Sequence, residues 1–144
     1  MRSGGSPWRV AYARVTDSFD RSALDSNAVL AGTILCLLVA VPAAVLQGLL
    51  ADDDAGTDQS AWVYVALAVI VVAYLLGGAL AGRAVPTAPF VNGAAATTLA
   101  FVVVQGVGAV VRVARGDEFP SLVGIVFNAL LAASIGALGA GFGA

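Results

Sequence analysis

Apolar residues fill four long stretches of the chain, at 28–51, 61–82, 90–113 and 120–143, and polar residues collect between them. Crossing a bilayer as a helix takes about 20 apolar residues, and each stretch is long enough. The pattern predicts an all-α fold, an integral membrane four-helix bundle formed by residues 27–144, with residues 1–26 as a cytoplasmic tail. A secretory signal has an apolar core of only about 7–15 residues. The first stretch exceeds that, so it reads as a retained span.

The tail has a pattern of its own. Trp8, Tyr12, Val15 and Phe19 share one helical face, whereas Arg9, Asp17, Asp20 and Arg21 fall largely elsewhere. Ser6 and Pro7 supply a cap and a first-turn proline. The expectation is an amphipathic helix over roughly 7–21, lying on the cytoplasmic membrane surface. A helix that docks a soluble partner and a disordered segment are the alternatives.

Composition agrees with the spans. Charged residues make up 11% of the 144 positions, against about 25% in soluble domains. They sit in islands: the tail, the acidic segment of Asp52, Asp53, Asp54 and Asp58, Arg83 alone, and the group Arg112, Arg115, Asp117 and Glu118. All cations are arginine, with no Lys and no His. Arginine with much Ala, Gly and Val is the usage of a GC-rich bacterial genome, so the expected location is a bacterial plasma membrane. No basic patch is present, which argues against nucleic acid as a partner. Arg2, Arg9, Arg14, Arg21 and Arg83 fall on one side of the four-span scheme, and Arg112 and Arg115 on the other. The positive-inside rule then puts both termini in the cytoplasm. Arg83 marks the inner interface; Trp62, beside Tyr64, anchors the second span at the outer one.

Capping residues punctuate the spans. Asp25, Ser26 and Asn27 offer caps to the first, Ser60 caps the second, and Pro89 and Pro120 suit first turns. Pro42 interrupts the first span and predicts a tolerated bend.

Helices in lipid associate through close packing of small residues. Ala28, Gly32, Cys36, Ala40, Ala44 and Gly48 form a strip spaced by four in the first span. Gly78 and Gly82 make a second strip, and Ala132, Gly136 and Ala140 a third, with Gly139 and Gly143 beside it. Gly32, Gly48, Gly78, Gly82, Gly136 and Ala140 are therefore the candidate helix-packing residues. Polar side chains within the spans are Thr33, Gln47, Tyr74, Asn92, Thr97, Thr98, Gln105, Asn128 and Ser134. Gln47, Gln105 and Asn128 fall in the predicted outer half. Gln105 and Asn128 are placed to hydrogen-bond between the third and fourth spans. They read as interhelical glue, with a polar lining for a small solute as the alternative.

Catalytic chemistry has little to work with. The spans hold no Asp, Glu, His or Lys, and Cys36 is the sole cysteine. No metal site, cofactor site, phosphate loop or catalytic constellation is expected. An offset of 58 residues lays VLQG at 45–48 on VVQG at 103–106 and GAL at 78–80 on GAL at 136–138. That match admits a tandem repeat of two helical hairpins, related by a pseudo-twofold axis along the membrane normal.

The motifs GGALAGR, FVNGAAATTLAFVVVQG and IGALGAGFG carry a likeness over about residues 70–143. In them the chain resembles a group of uncharacterised small bacterial four-span membrane proteins, the YrzE-like family. The resemblance implies a four-span fold and a membrane location, and it carries no catalytic residue. The functional expectation is a non-enzymatic membrane protein that assembles, stabilises or regulates other membrane components. Its partners would be the bilayer and either further copies or another membrane protein. The alternative is a small-solute transporter or an oligomeric channel subunit.

Overall fold

A computed structural model of the chain describes residues 24–50, 61–116 and 121–144. The predicted tail helix with Trp8, Tyr12 and Phe19, the aspartate segment, Ser60 and Pro120 lie outside the described residues, as do the surroundings of Gln47, Gly48, Arg112 and Arg115. Four helices follow in order: α1 (Ser26–Leu50), α2 (Ala61–Ala84), α3 (Pro89–Arg115) and α4 (Leu122–Gly143). Among the described residues there is no strand. All four helices are long and apolar enough to cross a membrane.

Local chemistry sets the ends. The Asp25 carboxylate accepts hydrogen bonds from the N–H groups of Asn27 and Ala28, at 2.8 and 3.0 Å, and caps α1. Pro89 opens α3 as expected, since its missing N–H would have no partner there. α3 ends at a glycine: Gly116 adopts φ 77° and its N–H donates to the Val113 carbonyl. α4 starts two residues later than the apolar pattern predicts. Its cap is Ser121, whose hydroxyl accepts from the Gly124 N–H at 3.1 Å. α1 runs through Pro42, which stands on an exposed face.

Neighbouring contacts give the topology. Gly32 and Cys36 lie against Gly77 and Ala73, so α1 and α2 are antiparallel. Gly93 meets Ala140, and Thr97 meets Gly136, so α3 and α4 are antiparallel. The hairpins join through two parallel pairs. Gly78 and Gly82 of α2 meet Gly136 and Ala140 of α4, and Thr33 of α1 bonds the Ala96 carbonyl of α3. α2 also packs on α3, whereas among the described residues α1 and α4 barely meet. This last asymmetry excludes the pseudo-twofold arrangement. Exchanging the hairpins would turn the α2–α3 contact into an α4–α1 contact of equal extent. What survives of the repeat is local: the residues it matches, Gly78 with Gly136 and Gly82 with Ala140, lie face to face.

Burial runs opposite to that of a water-soluble bundle. The interior is built of alanines such as Ala73, Ala81, Ala96, Ala100 and Ala140, with glycines, Cys36, Asn92 and Thr97, and few large side chains beyond Tyr74 and Phe101. The large aliphatic and aromatic side chains point outward, Leu38, Val123 and Phe142 among them. Packing is tight at one end, where α1 and α3 begin and α2 and α4 finish. It loosens toward the other: among the described residues, α3 after Phe101 and α4 before Ala132 fully bury no residue.

Candidate functional site

The tight end is the most elaborated part of the molecule. A methyl group built on Gly32 would stand 2.6 Å from the Gly77 carbonyl oxygen, and one on Gly93 would stand 2.6 Å from both the Gly136 oxygen and Ala140 Cβ. One on Gly82 would stand 2.7 Å from Ala140 Cβ. On Gly78 it would run into the Gly136 carbonyl, and on Gly136 into the Thr97 hydroxyl. Four backbones thus approach as closely as hydrogen in place of a side chain permits. Dispersion falls off steeply with distance, so this proximity gains contact energy that larger residues would forfeit. Ordinary apolar burial supplies no such drive between helices in a hydrocarbon solvent.

The doublet Gly77-Gly78 serves two neighbours. Consecutive helical positions point about 100° apart, so Gly77 faces Cys36 and Gly32 of α1 while Gly78 faces Gly136 of α4. Gly32, Gly78, Gly82, Gly136 and Ala140, all singled out by spacing, meet in this one region. Gly77 and Gly93 belong to it too; Gly77 lies in a four-spaced strip of its own with Ala73 and Ala81, all three buried. The α1 strip holds through Ala40 and then shifts, with Ala43 buried in place of Ala44.

Polar groups lock the same region. Asn92 is fully buried; its Oδ1 accepts from the Asp25 N–H and its Nδ2 donates to the Ala88 carbonyl, each at 2.9 Å. One amide therefore ties the capping residue of α1 to the start of α3. The Thr33 hydroxyl lies 2.8 Å from the Val29 carbonyl oxygen and 3.0 Å from that of Ala96. The Thr97 hydroxyl lies 3.1 Å from the carbonyls of both Gly93 and Ala94. A hydroxyl has one proton, so each threonine donates to one of its two carbonyls at a time. The Cys36 thiol donates to the Ala73 carbonyl at 3.3 Å. Arg83 is exposed and its Nε donates to the Gly143 carbonyl at 3.1 Å, where the negative end of the α4 dipole lies. No buried side-chain nitrogen or oxygen among the described residues lacks a partner. The buried polar groups of this end are consumed in joining backbone to backbone.

The loose end has the opposite character. Methyl groups on Gly106 or Gly108 would meet nothing within 4 Å. Gln105 is half-buried and Asn128 exposed. The α3–α4 register pairs Gly93 with Ala140 and Thr97 with Gly136, and its continuation sets Gln105 level with Asn128. Among the described residues, however, no hydrogen bond joins the two. The expected bond fails on rotation. Each residue lies eight positions from the Thr97–Gly136 contact, which is about 80° past two full turns. On antiparallel helices these equal rotations have the same sense when seen from one end. They carry the two side chains to opposite sides of the pair.

The chain matches no protein-family model, no curated protein and no solved structure. Trp62 and Tyr64 are exposed near the start of α2, at the loose end, while Arg83 stands at the tight end. No group of three or more metal-ligating side chains occurs among the described residues. Among the described residues, shallow apolar grooves run along α1 beside Pro42 and between Val29 of α1 and Leu99 of α3.

Proposed function

We propose that this chain is a small multi-pass protein of a bacterial plasma membrane, with both termini in the cytoplasm. In this reading it acts without catalysis, as an assembly, stabilising or regulatory partner of other membrane components. Insertion is supported by the small-residue interior beneath a surface of large aliphatic side chains. Soluble monomers rarely expose contiguous apolar patches beyond a few hundred Å². The orientation is supported by the arginines of the tail and Arg83; the likeness to YrzE-like proteins accords with the four-span fold and the membrane location only. The tail helix carrying Trp8, Tyr12 and Phe19 would rest on the inner surface.

The observation that carries the partner role is the contrast between the two ends. One end consumes its polar groups and closes its backbone gaps. The other leaves Asn128 exposed on a span and the backbone at Gly106 and Gly108 uncovered. Cross-linking in intact membranes, followed by mild extraction and size analysis, tests the role. A complex larger than one chain is expected. A strictly monomeric, partnerless particle would contradict it.

A further inference from the structure

We infer that the partner on the Asn128 side of α4 is a second copy of this chain, the two related by a twofold axis along the membrane normal. The inference rests on the membrane-partner reading above and names the partner. Asn128 is the seventh residue of α4, about 9 Å along the helix from its first residue. Its side chain is exposed, and among the described residues no hydrogen bond satisfies its amide. At that depth in a bilayer no water replaces the missing partner, so the amide is unfavourable until another polar group meets it.

The chemistry of the group selects the occupant. A primary amide is neutral and carries both donors and an acceptor, so it complements itself. A carboxylate or a guanidinium would repel its own copy and call for a partner of opposite charge. No ionisable side chain lies in α4, so identical faces meet there without repulsion. Symmetry meets the remaining requirement. Copies inserted with the same topology and related by an axis along the normal hold identical residues at identical depth. Asn128 of one copy and Asn128 of the other are therefore level. Gln105, carried to the far side of the α3–α4 pair, takes no part.

The test uses the full chain in proteoliposomes, with Cys36→Ala removing the native thiol. Under mild oxidation N128C should give a disulfide-linked dimer. V126C, exposed but about 160° around α4, should give none. In the background of the native sequence, energy transfer between labelled copies gives the dimer dissociation constant. N128L should raise it about tenfold, the combined effect of two interhelical hydrogen bonds. N128Q, which keeps the amide, should restore most of the association, and that separates hydrogen bonding from misfolding. Equal cross-linking at 126 and 128, or an unchanged constant in N128L, would overturn the dimer. So would a chain that is monomeric but held by a different membrane protein, though the partner role would then stand. A monomer with no partner at all would overturn both.

Discussion

Replacing Gly136 by Ala adds one methyl group at the point where three helices converge. Built on the observed backbone, that carbon would stand 2.6 Å from the Gly93 carbonyl oxygen and from Thr97 Cγ2, and would overlap the Thr97 hydroxyl. Real Cβ atoms essentially never stand closer than 3.0 Å, and ordinary contact begins at 3.4 Å, so relieving the clash with the Gly93 carbonyl parts α3 and α4 by about 0.4–0.8 Å. A gap of about 0.5–1 Å forfeits a quarter to a half of each dispersion contact it opens. Gly93, Gly78 and Ala140 all lie in the affected layer. Overpacking of this kind costs about 1–3 kcal/mol. Alanine returns up to about 1 kcal/mol through its higher helix propensity. The net expectation for G136A is a loss of about 1–2 kcal/mol. Gly108→Ala is the matched control, because its methyl group meets nothing within 4 Å. It should be neutral or stabilising by up to about 1 kcal/mol. Cys36, the sole thiol and fully buried, provides the assay: a thiol-reactive fluorophore reports opening during a denaturant titration in mild detergent. G136A and G108A should move the midpoint in opposite directions, or G108A should leave it unmoved. If G136A is as stable as the parent, or G108A is equally destabilised, close backbone approach is not what holds the tight end together.

Asn92→Leu should destabilise by about 1–3 kcal/mol in the same assay, because it strips the Asp25 N–H of its buried acceptor. A double-mutant cycle of Gln105→Leu and Asn128→Leu should give a coupling within about 0.5 kcal/mol of zero in monomeric micelles, the value for independent sites; a larger coupling would mean that the two amides meet. A reporter active only outside the cytoplasm, fused after Ala144, should stay silent, and activity there would invert the orientation read from the arginines.

Helix count and packing faces were legible in the sequence because each has a local signature. Four apolar stretches marked the helices to within a few residues. The four-residue spacing of Gly78 with Gly82, and of Gly136 with Ala140, marked two faces that meet in the fold. Partner choice was not legible, since a glycine strip accepts any close backbone. Gly77, four residues from both Ala73 and Ala81, belongs to a second face of the same helix, and the rotation between adjacent positions sends it to a different neighbour from Gly78. Gly93 has threonine four residues on, and Thr97 turns its hydroxyl to its own helix, so it serves as a small residue. Asn92 appeared as one polar position among several. Its role comes from a backbone amide 67 residues away, which no local pattern announces. Gln105 and Asn128 were predicted at matching depth, and the register agrees. Depth alone leaves rotation about the helix axis undetermined, and rotation is what separates them. The sequence repeat gave a matched pair of glycine faces but not the symmetry, because one hairpin contact has no counterpart.

Under the proposed membrane function, the outward-facing large apolar side chains meet lipid while the small residues face one another. Flotation of urea-washed membranes containing the full chain tests this most directly. The chain should rise with the lipid after the wash. Recovery as a dispersed particle in the lipid-free fractions would contradict it.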